Sequence, residues 1–381
     1  MQNRRTFLGT GIGVAASVAA TAPAGAQVGG AKAPEWRNRQ AGMSYRRLGR
    51  TGMMVSEVVS GGDPITLSNY EHLKLALEKG LNYLDMAPAY NKGQTEEAYG
   101  RLIAGQREKV FLTTKVSGFS GVRNAMYKEI FDGLPGAKQE AIRKRALEMR
   151  QQRGVLKPGY FFTYYPGQAN PIELTYIANA MRPEYAHKVE GSARFRDFIL
   201  TSLEGSLKRV GTDYFDILMC PHGTNSPEEL EIPEILRTFE KLKQDGKVRF
   251  LGFTSHTDSG GVLARAAQLE HYDCAMVAYN VLNAGYLERS IREARAKDMG
   301  VIAMKVAMSV ATHHKSLQPV PRWRIDKIHR IVPGEEKAPV KAYLWALQNA
   351  DLTAVISNLW DAAHVEDNLG VAGRTVELQP A

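Results

Sequence analysis

Apolar residues along this chain come in short continuous runs, separated by longer stretches in which they recur every three or four positions. The runs read as strands buried on both faces, near residues 55–60, 83–85, 110–115, 214–220, 250–254, 274–279, 301–305 and 354–357. The spaced stretches between them read as amphipathic helices. They lie at 68–79, 95–104, 287–298 and 338–349, several with a glycine just past the end. Strands alternating with helices predict a parallel sheet. By this reading there are eight, the number that closes an α/β (β/α)8 TIM barrel. A doubly wound nucleotide-binding sheet is the competing fold, but no G-x-G-x-x-G turn follows the first strand. Residues 45–54, with Gly49 and Gly52, predict a hairpin that plugs the barrel floor.

The alternation breaks once. More than seventy residues separate the third strand from the helix starting near Ala193, where a strand-to-helix loop is ordinarily short. This 117–192 insertion holds a basic helical stretch at 137–152 and an aromatic cluster at 159–166. A further helix from Asn170 to about Met181 has Pro171 at its first turn. It leaves the C-terminal end of a strand, so it is expected over the barrel mouth, either as a lid or as a packing appendage.

Four polar residues lie at or just past strand ends: Asp85 and Tyr90 after the second, Lys115 ending the third, His222 after the fourth. Barrel enzymes build their active sites there. A phenol beside an ammonium, itself held by a carboxylate, is an arrangement for proton donation, with Lys115 expected to lower the Tyr90 pKa.

Composition narrows the function classes. The chain has 381 residues, 44% of them hydrophobic, and a formal net charge of +9. The basic residues are dispersed, and no stripe or arm suits nucleic acid. Cys220 and Cys274 sit in predicted strands and are expected as buried thiols. The start of the chain differs in kind. Arg4 and Arg5 precede a short stretch of small and apolar residues, and Ala24-Gly25-Ala26 offers a cleavage site. Residues 1–26 therefore read as a twin-arginine signal peptide, with the twin-arginine export machinery as partner and the periplasm as destination. Residues 27–42 read as a linker and 43–381 as the barrel. No stretch is long and apolar enough for a membrane span.

With these residues in place, the chain resembles the aldo-keto reductases. The likeness covers about 45–116 and 193–371. It is carried by Tyr45 to Gly52, Asp85 to Tyr90, Thr114-Lys115, Pro221-His222, Gly246 to Gly252, Tyr279-Asn280, Gly300 to Lys305 and Glu366 to Leu369. The resemblance implies reduction of an aldehyde, ketone or sugar by NADPH (NADP, with NAD as the alternative), or the reverse oxidation. It implies Tyr90 as general acid, Lys115 and Asp85 as its support, and His222 orienting the carbonyl. For the cofactor it implies Thr254 and Ser255 at the nicotinamide amide, Tyr279 near that ring and Lys305 at the pyrophosphate. Ser357 and Asn358 would lie at the 2′-phosphate, and Glu366 and Asn368 at adenine. Two departures stand out. Met276 occupies the place of the family's glutamine, and Asp361 would repel a 2′-phosphate. The paired His313 and His314 are too little for a metal site, and they fall in a basic loop over 309–331. Two other classes fit the same residues: a non-redox binding or sensing barrel, and a sugar isomerase or lyase using Tyr90 and His222.

Overall fold

The computed structural model describes residues 33–155, 157–160, 162–312 and 319–380. The signal-peptide reading at 1–26, the first part of the linker, and His313-His314 lie outside the described residues.

Eight parallel strands close into a barrel: β1 (Val58–Gly61), β2 (Tyr83–Asp85), β3 (Phe111–Lys115), β4 (Phe215–Met219), β5 (Val248–Ser255), β6 (Cys274–Ala278), β7 (Gly300–Met304) and β8 (Ala354–Ser357). Each pairs with its neighbours in sequence, and β8 returns to β1 through Val355 opposite Val58. The runs are largely apolar because helices cover one face and barrel packing fills the other. Side chains such as Val59, Tyr83, Phe111, Ile217 and Ile302 fill the interior, and a larger cluster joins strands to helices. Each such aliphatic or aromatic side chain contributes about 1.5–3 kcal/mol when fully buried.

The expected first strand, 55–60, is two elements. Met53–Ser56 pairs antiparallel with Tyr45–Arg47, and β1 begins only at Val58. Glu57 is the break: its carboxylate accepts from Arg46 Nε at 2.6 Å and from the Gly373 amide at 2.6 Å. The hairpin sends Leu48, Met53 and Val55 into the barrel floor. A side chain at Gly49 would lie 2.3 Å from the Gly300 nitrogen, and the backbone there has φ +48°. That close approach requires glycine.

The linker is not loose over its described part. Glu35–Trp36 pairs parallel with Met53–Met54, and Asn38 donates to the Leu77 and Leu81 carbonyls at 2.6 and 2.9 Å. The described residues of the insertion form three helices, Phe119–Asp132, Gly136–Gln152 and Asn170–Val189; the first has no counterpart in the sequence reading. Phe119 packs on Phe195 of the helix Ala193–Val210, tying the insertion to the barrel. The basic stretch after β7 includes a helix, Arg322–Ile331. Both cysteines are free and buried. No described helix is long and apolar enough to cross a membrane, and no cluster of metal-ligating residues occurs among the described residues.

Candidate active site

Parallel pairing brings the ends of β2, β3 and β4 side by side, with Asp85 opposite Thr113 and Lys115 opposite Met219. Lys115 Nζ is 2.5 Å from Asp85 Oδ1 and donates to the Met86 carbonyl at 2.8 Å. Both side chains are 1% exposed. Burial pulls the Lys115 ammonium down and pushes the Asp85 carboxyl up, and each shift is opposed by the other's charge. The same ammonium lies 4.7 Å from the Tyr90 ring centroid.

The Tyr90 ring meets His222 edge-on, centroids 6.2 Å apart. Ser117 Oγ, two residues past Lys115, lies 2.9 Å from His222 Nδ1. With that hydroxyl donating, His222 carries its proton on Nε2. Burial, reinforced by Lys115 and Lys305, lowers the His222 pKa to about 3, so the ring is neutral at physiological pH. The Tyr90 phenol is held well above its usual range, by burial first and by Asp85 next. The expected net lowering by Lys115 is therefore not found. Tyr90 is instead a firmly protonated phenol, which still suits a proton donor facing a developing alkoxide.

A cavity of about 300 Å³ opens beside these groups. At the barrel mouth it is lined by Asp63, Asp85, Tyr90, His256, Met276 and Met304. Beyond β7 and β8 it is lined by Lys305, Lys337, Asn358, Trp360, Asp367 and Asn368. Two lysines (Lys337 is paired with Asp367 at 2.7 Å), an indole and two amides can hold an extended ligand with phosphate groups and a flat base.

Of the predicted cofactor residues, Lys305, Asn358 and Asn368 line this cavity; Thr254, Ser255, Tyr279, Ser357 and Glu366 do not. The Thr254 hydroxyl accepts from the Gly223 amide at 2.8 Å, and Ser255 donates to the Thr224 carbonyl at 2.9 Å. Both fasten the loop after β4, which carries His222. Tyr279 stacks on Trp345, centroids 5.0 Å apart at 17°, and is a core residue. Ser357 is buried and accepts from Asn368 Nδ2 at 2.9 Å. Glu366 turns away to pair with Lys79 at 2.7 Å. Asp361 caps the helix Ala362–Leu369 by accepting from the His364 amide at 2.9 Å, which puts a carboxylate where an anion would otherwise sit.

Sequence reasoning missed Ser117, His256, Lys337 and Trp360. A signal existed for two of them: Ser117 follows Lys115 by two positions, and His256 directly follows Thr254-Ser255 at the end of β5. The insertion reaches the same mouth. Tyr160 donates to Asp258, Asn280 Nδ2 donates to Tyr164 at 2.8 Å, and Tyr165 stands edge-on to His256 at 5.7 Å.

A family model described as the aldo/keto reductase family matches residues 66–181 and 181–379. The uncharacterized oxidoreductase YqkF of Bacillus subtilis is 26% identical over 216 residues, covering 56% of this chain and 49% of that protein. The chain thus spans about half the length of that relative. Among solved structures, an aldo-keto reductase of Bacillus halodurans in its holo form superposes with a TM-score of 0.57. It is 19% identical, over 87% of this chain and 92% of that one. An aldo-keto reductase of Klebsiella pneumoniae in complex with NADPH gives a TM-score of 0.53 at 19% identity, over 87% and 90%. Both likenesses concern the barrel fold.

Proposed function

Because the chain belongs to the aldo/keto reductase family, we propose that it reduces a small carbonyl compound with NADP(H), or runs the reverse oxidation, with Tyr90 as proton donor. The carrying observation is the convergence of Tyr90, Lys115, Asp85 and His222 on one rim of the barrel beside a cavity bearing Lys305 and Lys337. NADPH, when bound, supplies the hydride. The neutral His222 donates from Nε2 to the carbonyl oxygen and fixes its direction. Tyr90 protonates that oxygen as negative charge builds on it. Lys115 stabilises the phenolate left behind, and Asp85 keeps the ammonium in place. Trp360 and the lysines 305 and 337 hold the nucleotide. Turnover of an aldehyde panel, followed by NADPH absorbance, tests the reading. Tyr90→Phe is expected to lower kcat about 10²–10⁴-fold; equal rates in wild type and variant sink it.

One observation favours a second reading. The hydroxyls of Thr254 and Ser255 are engaged within the protein, and Met276 offers no amide. A barrel that retains nucleotide without turning it over fits that pattern. Cofactor extraction from the purified protein together with the aldehyde panel separates the two. We also propose that residues 1–26 direct twin-arginine export. Cell fractionation of an Arg4→Lys, Arg5→Lys variant tests this, and undiminished export would overturn it.

A further inference from the structure

Tyr90 does not stand on a strand. It opens the turn Tyr90–Gly93, past the end of β2 at Asp85 and before the helix Gln94–Leu102. A side chain on so short a turn is only as well placed as the backbone beneath it. That backbone takes an unusual course: Asn91, Lys92 and Gly93 are all left-handed, with φ of +47°, +55° and +91°. Glycine adopts this conformation freely and asparagine more readily than most residues, whereas lysine is strained in it. Two successive non-glycine residues stay left-handed only where surrounding contacts impose it.

Asn91 makes those contacts. Its Nδ2 donates to the Asp63 and Ile65 carbonyls at 2.8 and 2.9 Å. Thr95, one helical turn on, donates from Oγ1 to the same Ile65 carbonyl at 2.7 Å and lies 3.1 Å from the Gly62 carbonyl. All three carbonyls belong to the turn after β1. The Gly62 amide of that turn donates to the Asp85 carbonyl at 2.9 Å. The fit is close, since a Cβ at Gly62 would lie 2.5 Å from the Asp85 carbonyl oxygen and 2.6 Å from Thr95 Cγ2. The turns after β1 and β2 are thus one hydrogen-bonded unit. Each presents a side chain to the cavity, Asp63 from the first and Tyr90 from the second.

We propose that Asn91 is a positioning residue for Tyr90. Its left-handed backbone aims the phenol at the cavity, and its carboxamide ties the tyrosine's turn to the turn that carries Asp63. The proposal rests on the reductase reading for the task of Tyr90 and names what holds that group in place. Three substitutions separate backbone from carboxamide. Asn91→Gly keeps the left-handed course and deletes the tie. Asn91→Asp keeps the shape, but a carboxylate only accepts and so opposes the two carbonyls. Asn91→His tolerates the left-handed backbone and brings a ring N–H to donate.

The test measures kcat and KM of the full chain for an aldehyde that wild type reduces. Asn91→Asp is expected to lower kcat about tenfold, because misplacement of the proton donor is felt in the chemical step. Asn91→Gly lowers it less, Asn91→His recovers part of the loss, and KM stays within about twofold throughout. A second readout needs no turnover. With 3-fluorotyrosine at position 90, the ¹⁹F resonance is expected to be single and narrow in the otherwise native chain. It shifts or broadens in Asn91→Asp and Asn91→Gly, and returns toward the native position in Asn91→His. If wild type reduces no aldehyde but the resonance responds in this order, the reductase reading fails and the Asn91 assignment stands. A wild-type kcat in both Asn91→Asp and Asn91→Gly, or a resonance that neither variant alters, overturns it.

Discussion

Tyr90 and His222 take their protonation states from burial more than from their charged neighbours. The His222 pKa falls to about 3 because the charged ring is poorly solvated and faces Lys115 and Lys305. Two outcomes follow. Across pH 5–8 the ring does not titrate, so kcat/KM is expected to show no limb near the ordinary histidine value of about 6.5. Initial rates over that range check this, and a limb removed by His222→Gln would refute it. The second outcome concerns stability. Below the unfolded pKa the unfolded chain binds a proton that the folded chain refuses. His222 therefore makes stability fall as pH drops from about 6.5 toward 3, and His222→Gln is expected to flatten that decline. Denaturant midpoints at pH 7 and 5 measure it. Tyr90 shows what sequence could and could not supply. Its place at a strand end beside Lys115 was legible from the run of residues. The direction of its pKa was not, because that depends on how completely the barrel rim buries it and how near Asp85 lies.

Strands were the most legible elements, because β6 and β7 are buried on both faces and leave unbroken apolar runs. The helix Phe119–Asp132 was not legible. Arg123 and Asn124 occupy its buried side, and their hydrogen bonds out of the helix go to partners fifty residues away: Arg123 donates to Asn179 at 2.7 Å and Asn124 to Thr175 at 2.9 Å. Polar residues on the inner face erase the periodicity a helix is read from. The internal partners of the Thr254 and Ser255 hydroxyls were illegible for a related reason, since the loop that engages them, 223–224, is brought there only by barrel closure. Residues 159–160 and 162–168 lie toward the mouth and are pinned by Tyr160 on Asp258, a carboxylate that also caps the helix Ser259–Leu269. Burial raises the Asp258 pKa to about 6. Tyr160→Phe deletes one donor to this carboxylate and leaves the cap. Amides at 159–168 are then expected to exchange about tenfold faster, equivalent to ~1.4 kcal/mol of local stability, while the barrel strands keep their protection. Hydrogen exchange with mass spectrometry measures both, and unchanged exchange at 159–168 would show that this contact does not hold the segment.

Across the whole molecule, the two ends of the barrel carry different tasks. The C-terminal rim holds the four candidate catalytic groups. The opposite end holds Asp216, whose side chain is fully buried among Arg37, Arg107 and Arg249 at 3.2, 2.9 and 2.5 Å. Asp216 also accepts from the Leu112 amide at 2.9 Å, joining β3 to β4 from below. Glu35 completes the cluster, so the short strand before the hairpin is fastened to the barrel by charge as well as by pairing. Removing one partner of a buried ion pair strands the others and costs about 3–5 kcal/mol. Asp216→Ala is therefore expected to lower Tm by about 5 °C or more. Its KM for any reduced aldehyde, measured well below the melting range, should match wild type, because conservation of geometry at the mouth depends on strand pairing above the floor rather than on this cluster. The two readouts bear on the division directly. A lower Tm with unchanged KM fits a floor that only stabilises, whereas a KM shift of several-fold at a temperature where the variant is fully folded would mean that charge packing beneath β3 and β4 sets the positions of Lys115 and His222 above them.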